Sequence, residues 1–295
     1  MITIEKDSPL FVGIDGGGTN CRVRIESGDG QLIATGHGGS ANPSHGLSVV
    51  VDSIMIAINM AMQQANLPTT CLGQMIVGAG LAGLHLPSYK KVMKGWQHPF
   101  AALYLTHDLH VATIGAHDGK EGAVVIAGTG FSALSLVNGV ETAIGGYGFL
   151  QADHCSGSWL GYQAVQAVLL AHDGLSPPTM LTNLLYEKYQ MRGVDLVEHF
   201  VGATASQYGI LAPLVFIAAN QGDKAAQDMI ENSVEFITRV IQLLLKTKPS
   251  RISLIGSVAM QLVKEFDQNT IEYISPAIES PEVGAVHYAR QQHKS

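Results

Sequence analysis

The first residues in this chain that could do chemistry are a carboxylate and the glycine-rich turn that follows it. Asp15 ends an apolar run that begins at Phe11. The turn after it consists of Gly16, Gly17, Gly18 and Thr19. Because glycine has no side chain, its backbone can come close to a bound group and point N–H donors at it, which suits a phosphate. Asp15 could hold a hydrated Mg²⁺ beside that phosphate, although the same residues also suit an ordinary tight turn.

The residues beyond this turn predict a strand–turn–strand hairpin. Positions 21, 23 and 25 are apolar and positions 22, 24 and 26 are charged, which is the period of a half-buried strand. A Walker loop is excluded, because no Gly-Lys-Ser/Thr follows Gly18. A dinucleotide fingerprint is excluded as well, because it needs a third glycine and a helix where this chain has Cys21 and a strand.

A second glycine turn of the same design lies at Gly128-Thr129-Gly130. Apolar residues 122–127 predict a strand before it, and residues 131–137 predict a strand after it. Asn138-Gly139 then indicates a hairpin turn into a third strand. The first turn has the same plan, so the chain contains a repeat. Two related halves, each with a phosphate-type turn, are expected to hold one nucleotide between them.

A second carboxylate, Asp108, follows a predicted strand over residues 101–106. At a strand end near two phosphate turns, it is well placed as a general base that takes the proton from an attacking hydroxyl. Aspartate also suits the N-cap of the helix predicted over 109–116. Both roles can hold at once.

Three further places could bind a polar ligand. Asn42 offers hydrogen bonds, although a turn residue before Pro43 would have the same composition. Asp153 precedes a predicted helix and could bind a sugar hydroxyl or cap that helix. Gly256 and Ser257 lie between an apolar strand and a helix, where the close backbone would suit an adenosine.

Composition limits the classes of partner. The 295 residues are 46% hydrophobic and 14% charged, which is typical of a folded globular protein. A net charge of −7 argues against nucleic acid. We expect no membrane partner, since the N-terminus does not resemble a signal peptide and no uninterrupted apolar run reaches about 20 residues. The 3 cysteines show no pairing pattern, and the 12 histidines show no zinc spacing, so we expect a cytoplasmic protein.

Taken in order, the motifs resemble the sugar-kinase branch of the actin–hexokinase–Hsp70 ATPase superfamily. Within it, the chain is similar to the BadF/BadG/BcrA/BcrD-type ATPases and N-acetylglucosamine kinases, and in particular to bacterial glucosamine kinases. The matching segments are Gly13–Thr19, Ala127–Gly130, Gly145–Gly148 before Asp153, Val168–Gly174, Tyr208-Gly209 with Pro213, and Leu254–Ala259.

The resemblance implies an α/β chain with a duplicated actin-like ATPase (ribonuclease H-like) fold, in which two lobes surround a nucleotide cleft. The N-terminal lobe would comprise residues 1–110. The C-terminal lobe would comprise residues 111–275, with a helical insertion. A terminal helix within residues 276–295 would pack back on the first lobe.

The resemblance also implies an activity, namely ATP- and Mg²⁺-dependent phosphorylation of the 6-hydroxyl of glucosamine. Asp108 would be the catalytic base, and Asp15 would lie near the metal. Asn42, Asp108 and Asp153 would touch the sugar. The nucleotide would be bound by Gly16, Gly17, Gly18, Thr19, Gly128, Thr129, Gly130, Gly256 and Ser257. The resemblance leaves open whether the protein forms a homodimer.

The chain departs from the family pattern at two places, and the first of them leaves the substrate open. Many N-acetylglucosamine kinases have Gly-Asp-Glu-Gly-Ser where this chain has Ala152-Asp-His-Cys-Ser156, and His107 replaces the asparagine before the base. N-acetylglucosamine is therefore the alternative sugar. Two further alternatives are an ATPase that activates a redox partner, which would need clustered cysteines for an iron–sulfur centre, and a nucleotide-binding regulator without catalysis.

Overall fold

The structure, a computed structural model, describes residues 8–294. The N-terminal residues, which were compared with a signal peptide above, lie mostly outside the described residues. The chain forms two compact units. The first comprises residues up to Gly122 together with Leu136–Gly139 and the segment from Pro276 onward, and the second comprises Ala123–Ser135 and Val140–Ser275. The lobe limits at 110 and 275 stay a prediction.

Both units combine strands with helices. The strands of residues 8–294 are β1 Leu10–Gly16, β2 Cys21–Glu26, β3 Leu32–Gly38, β4 Met75–Leu81, β5 Ala102–His107, β6 Gly122–Ala127, β7 Phe131–Val137, β8 Val140–Gly145 and β9 Ile252–Ile255. The α-helices are α1 Leu47–Gln64, α2 Pro87–Met93, α3 Asp108–Ala116, α4 Gly157–His172, α5 Leu181–Tyr189, α6 Gly193–Phe200, α7 Ala205–Gly209, α8 Ala212–Asn220, α9 Lys224–Leu245, α10 Ser257–Leu262, α11 Gln268–Ile271 and α12 Pro281–Lys294. Short 3-10 helices cover Pro43–His45, Thr69–Gln74 and Val263–Glu265.

The first unit is built on a five-stranded sheet in the order β3-β2-β1-β4-β5. β1, β2 and β3 are antiparallel, which confirms the predicted hairpin, whereas β1, β4 and β5 are parallel. Asp15 pairs with Arg22 on one side and with Gly80 on the other. Because parallel strands end at the same edge of a sheet, β1, β4 and β5 bring their carboxyl ends together there.

The terminal helix α12 lies directly on this sheet. A Cβ added to Gly13 would overlap the carbonyl oxygen of Glu282, and one added to Gly78 would overlap that of Ala285. The two glycines therefore let the helix backbone approach the strands. At its far end, Arg290 donates to the carbonyl oxygens of Gly28 and Ser27, both at 2.8 Å. These contacts fix the position of α12 along the sheet.

The second unit contains a four-stranded sheet in the order β8-β7-β6-β9. β6 and β9 are parallel, and Ala123 pairs with Ile252. Helices α4 to α9 supply much of the core around this sheet, including the fully buried Leu160, Val215 and Ile237. Residues 180–246 follow a helical pattern in the sequence, and the structure confirms the helices predicted there.

From its sequence the segment 272–275 is predicted as a last strand, and this prediction is wrong. Its only pairing is an isolated bridge between Ile274 and Ile252. The residues just before it form α11, because the Asp267 side chain accepts a hydrogen bond from Thr270 N at 2.7 Å and caps that helical turn. Pro276 then follows, and its missing N–H disfavours a longer ladder.

One helix of the described residues, α1, is long and apolar enough to cross a membrane by length and composition. Its apolar stripe includes Val50, Ile54, Ala57 and Ile58, which are fully buried. The helix packs on β3 and β2. A core helix that packs in this way meets the same two criteria, so they are weak evidence for a membrane span.

Candidate active site

The first glycine turn is fixed from three sides. Gly17 N donates to Asn20 O at 2.8 Å, Ala82 N donates to Gly16 O at 2.7 Å, and Ala41 N donates to Gly17 O at 3.1 Å. The turn residues from Gly18 to Asn20 remain exposed. The turn is therefore a rigid loop with an open outer surface.

The glycines of this turn serve different purposes. A Cβ added to Gly16 would lie 2.5 Å from the Leu81 side chain and 2.9 Å from Ala41 Cβ. A Cβ added to Gly18 would meet nothing within 4 Å. Packing thus requires Gly16 to be glycine, whereas the bare backbone at Gly18 leaves room for a group that approaches from outside.

Asp15 lies directly below this turn, with 14% of its side chain exposed. Its Oδ2 accepts hydrogen bonds from Arg22 Nη2 at 2.7 Å and from Arg22 Nε at 3.2 Å. Burial raises the pKa of Asp15 above its ordinary value, although Arg22 works in the opposite direction. The nearby carboxylate of Glu282 also raises this pKa.

Asp108 is the first residue of α3 rather than its cap. The cap is His107, whose Nδ1 accepts a hydrogen bond from His110 N at 3.2 Å, so the capping alternative for Asp108 is wrong. Asp108 Oδ1 accepts a hydrogen bond from Leu109 N at 3.0 Å. Burial, followed by the negative charge of Asp15, raises the pKa of Asp108 to about 6. Such a carboxylate is ionised at neutral pH and is basic enough to accept a proton in a reaction.

A glycine lets α3 bring Asp108 to this edge. Asp15 pairs with Gly80 on β4, and Gly80 pairs with Thr106 on β5. A Cβ on Gly80 would overlap the side chain of Val111 in α3. Because neighbouring strands are about 4.8 Å apart, the ends of β1 and β5 lie about 10 Å apart. Two carboxylates therefore flank the end of β4.

Asn42 has a structural role beside the first turn. Its Oδ1 accepts a hydrogen bond from Ser44 N at 2.9 Å and caps the 3-10 helix Pro43–His45. The preceding residue, Ala41, is the one bonded to Gly17. The structure thus shows the predicted turn role of Asn42, and its contact with a sugar stays a prediction.

In the second unit, the glycine turn joins the start of α4. Gly128 N donates to Gly130 O at 3.0 Å, which closes the turn. Gly157 N then donates to Gly128 O at 2.7 Å, and Ser158 N donates to Thr129 O at 3.0 Å. The turn carbonyls are thereby satisfied by the first amides of the helix.

Asp153 packs under this turn and does not cap α4. Its Oδ1 accepts a hydrogen bond from Phe131 N at 3.3 Å, and a Cβ on Gly130 would lie 3.2 Å from its Oδ2. Ser156 is the cap instead, because its Oγ accepts a hydrogen bond from Trp159 N at 3.2 Å. Burial raises the pKa of Asp153, and the Phe131 amide lowers it.

A cavity of about 380 Å³ opens beside the second turn. Gly128 and Thr129 line one side, and Ser257 and Val258 line another. Gly256 makes this arrangement possible, because it has a φ of 104° and a Cβ there would overlap the carbonyl oxygen of Ala127. The predicted phosphate turn and the predicted adenosine turn therefore meet at one cavity within the second unit.

The remaining wall of this cavity was missed by sequence reasoning. It comes largely from α8 and the residues around it, with Pro213, Phe216 and Ile217 as apolar contacts and Asn220 and Gln261 as polar ones. Apart from the Tyr208-Gly209 and Pro213 likeness, these residues form no motif. Only the fold shows that they line the same cavity.

Two of the three cysteines are not candidate nucleophiles. Cys21 and Cys155 are buried free thiols. Burial raises the pKa of Cys21 to about 12 and also raises that of Cys155. Since the thiolate is the reactive form, both are inert at neutral pH.

These glycine turns and strand-end carboxylates are features of an actin-like ATPase, and solved structures confirm that fold class. A candidate N-acetylglucosamine kinase from Chromobacterium violaceum superimposes with a TM-score of 0.90 at 27% identity, covering 95% of this chain and 99% of the other. A ROK family glucokinase from Streptomyces griseus superimposes with a TM-score of 0.57 at 17% identity. The match covers 97% of this chain and 100% of the other, and it supports the fold alone.

Residues 12–289 match the model of the BadF/BadG/BcrA/BcrD ATPase family, and the chain belongs to that family. It is 34% identical to a glucosamine kinase from Vibrio cholerae over 85% of this chain and 86% of that protein. It is 29% identical to an N-acetyl-D-glucosamine kinase from Dictyostelium discoideum over 80% of this chain and 79% of that protein. The predicted family is thus confirmed, and use of ATP follows from it.

Proposed function

We propose that this protein is an amino-sugar kinase that transfers a phosphoryl group from ATP to the 6-hydroxyl of glucosamine, forming glucosamine 6-phosphate and ADP. The observation that carries the proposal is the carboxylate Asp108, which has a pKa of about 6 and lies across β4 from Asp15. The identity to a glucosamine kinase supports this choice of sugar. We propose a cytoplasmic location, where ATP is available.

In this proposal Asp108 accepts the proton of the attacking sugar hydroxyl. Its pKa near 6 keeps it ionised at pH 7 and lets it hold the proton transiently. Phosphoryl transfer depends on positioning and on charge neutralisation more than on covalent help from the protein. A single well-placed carboxylate is therefore sufficient as the base.

The charge balance around Asp15 fits a divalent cation. Asp15 and Glu282 both lie beside Arg22, and Asp108 feels the charge of Asp15. Asp15 and Glu282 share one guanidinium, and Asp108 adds a further negative charge near Asp15, which leaves excess negative charge. Mg²⁺ is commonly bound by one or two carboxylates and substrate phosphates, and it neutralises charge on the transferred group. Asp15 would hold it.

The backbone of each glycine turn would bind phosphate oxygens. In the first unit this role falls to Gly16, Gly17, Gly18 and Thr19, of which Gly18 and Thr19 are exposed. In the second unit it falls to Gly128, Thr129 and Gly130. The adjoining cavity of about 380 Å³ lies in the usual range for ligand pockets, and we assign it to the nucleoside, next to Gly256 and Ser257. Asn42 and Asp153 remain candidates for sugar contacts.

N-acetylglucosamine is the second candidate substrate, because the chain is also similar to kinases named for that sugar. His154 stands where many of those enzymes have glutamate. Its exposed ring lies 4.9 Å from the ring of Trp159 and 5.3 Å from that of Phe236, measured between centroids. An ATPase with an iron–sulfur centre has less support. In residues 8–294, no cysteine belongs to a group of three potential metal ligands.

A coupled assay of ADP release tests the proposal, with Mg-ATP and glucosamine, N-acetylglucosamine, glucose or no sugar. We expect turnover to be highest with glucosamine. A preference for the N-acetyl sugar would keep the mechanism and change the substrate. ADP release independent of sugar would contradict the kinase assignment and favour the ATPase alternative.

A further inference from the structure

The guanidinium of Arg22 lies between two carboxylates, but it bonds only one of them. It donates twice to Asp15 Oδ2, whereas its Nε is 3.6 Å from Glu282 Oε2. Glu282 Oε2 is buried and accepts no hydrogen bond from the described part of the chain. A buried oxygen without a donor costs free energy. Glu282 is thus an acceptor that lies beside a donor, Arg22, whose hydrogen bonds go to Asp15.

The position of Glu282 is set by the fold and not by chance contact. The residue is in the first turn of α12, and its own carbonyl oxygen lies against Gly13 of β1. Arg22 pairs with Asp15 across β1 and β2, so its side chain stays at the same end of the sheet. Shortening the 3.6 Å separation to a hydrogen bond of about 2.9 Å requires a movement of only about 0.7 Å.

Arg22 and a bound metal would compete for the same carboxylate. A guanidinium that donates twice to Asp15 Oδ2 occupies the oxygen and repels a second cation. Resting on the proposed role of Asp15, we propose that Glu282 is a positioning residue that accepts Arg22 when Asp15 holds Mg²⁺. Glu282 would thereby lower the Mg²⁺ concentration that the protein requires, although it does not bind the metal itself.

The test measures Mg²⁺-dependent binding of a fluorescent ADP analogue without sugar, so no turnover is involved. Glu282→Gln keeps the shape of the side chain and removes its charge. We expect it to raise the half-saturating Mg²⁺ concentration about three- to fivefold, the effect of one partly exposed ion pair. Glu279→Gln is the matched control. Glu279 is exposed and lies just before the same helix, so this substitution should leave the value unchanged.

A double-mutant cycle separates action through Arg22 from direct action on the metal. Arg22→Met removes the competing cation, so we expect it to lower the half-saturating Mg²⁺ concentration. In that background Glu282→Gln should change the value less than about twofold. An equal increase with and without Arg22 would overturn the proposal, because Glu282 would then act on the metal directly.

The remaining outcomes also decide the proposal. An unchanged value for Glu282→Gln, or ADP binding that does not depend on Mg²⁺ in the original protein, overturns it. If Glu282→Gln fails to fold, as judged by thermal melting, Arg22→Met alone provides the test, and an unchanged or raised value contradicts competition at Asp15. Because the measurement uses no sugar, a failed kinase assay would reject the proposed substrate and leave this result standing.

Discussion

Asp15 lies at the end of the first of three parallel strands and Asp108 directly follows the last, and the negative charge of Asp15 contributes to a pKa of about 6 at Asp108. Burial is the larger cause of that shift. The two carboxylates thus have different environments. Asp15 is hydrogen-bonded to a guanidinium, whereas Asp108 accepts a hydrogen bond from the Leu109 amide. The pair suits one metal ligand and one base.

Asp108→Asn should abolish most phosphoryl transfer. The amide keeps the shape and can still accept the Leu109 hydrogen bond, but it cannot take a proton. We expect kcat to fall about 10²–10⁴-fold, the usual contribution of a general base. Steady-state ADP release with glucosamine measures this, and nucleotide binding should persist. Unchanged kcat would contradict the assignment of Asp108.

The pH dependence of kcat should show an acidic limb near the pKa of Asp108. Below about pH 6 the carboxyl group is protonated and cannot act as a base, so the rate should fall with decreasing pH. Initial rates at saturating substrate from pH 5 to 8 test this. An acidic limb centred near pH 4 instead of pH 6 would exclude Asp108 as the titrating group. The same conclusion would follow if the residual rate of Asp108→Asn showed an unchanged acidic limb.

Asp108→Asn should also make the protein more stable at neutral pH. The pKa of Asp108 is raised from 3.8 to about 6, so between those values the folded state binds more protons than the unfolded state. Stability is therefore lost as pH rises from about 4 to 6. We expect the variant to gain about 1–3 kcal/mol at pH 8 and little at pH 4. Denaturant unfolding at both pH values measures the difference, and an equal effect at both would contradict it.

The first turn allows a matched pair of glycine substitutions. Gly18→Ala adds a methyl group in open space, so the fold should be unchanged while the KM for ATP rises about tenfold or more through obstruction. Gly16→Ala instead meets Leu81 and Ala41, and we expect a loss of about 1–3 kcal/mol in stability. Thermal melting and ATP kinetics of both variants distinguish these effects. Normal ATP affinity in Gly18→Ala would contradict phosphate binding at this residue.

Gly256 in the second unit can be compared with Gly222, since both have positive φ angles. Only at Gly256 would a Cβ also overlap backbone, at the carbonyl of Ala127, whereas Gly222 faces open space. Gly222→Ala should cost about 1 kcal/mol, and Gly256→Ala should cost clearly more and weaken ADP binding. Similar losses in both variants, by denaturant unfolding, would show that the overlap is easily relieved.

Much of the candidate site could be predicted from the sequence because its signals are local. An apolar run before a glycine turn and alternating residues after it indicate the β1–β2 hairpin, and the same strand–glycine turn–strand plan recurs around Gly128. Asp15 follows an apolar run directly and Asp108 comes just after a predicted strand, so their strand-end positions could be inferred. The strand predicted at residues 272–275 failed for a local reason too, because the Asp267 cap favours a helical turn just before it.

Other features were decided by tertiary structure. His107 and Ser156, and not Asp108 and Asp153, cap the two helices beside the glycine turns. Apart from Pro213, the apolar cavity wall from α8 belongs to no motif. The approach of Glu282 to Arg22 depends on contact between residues about 260 positions apart. Periodicity and turn chemistry act over a few neighbouring residues, so a sequence determines strands, turns and strand ends. Which distant side chains come within hydrogen-bond distance is settled only when helices pack on sheets, because close packing and hydrogen bonding then select one partner among several.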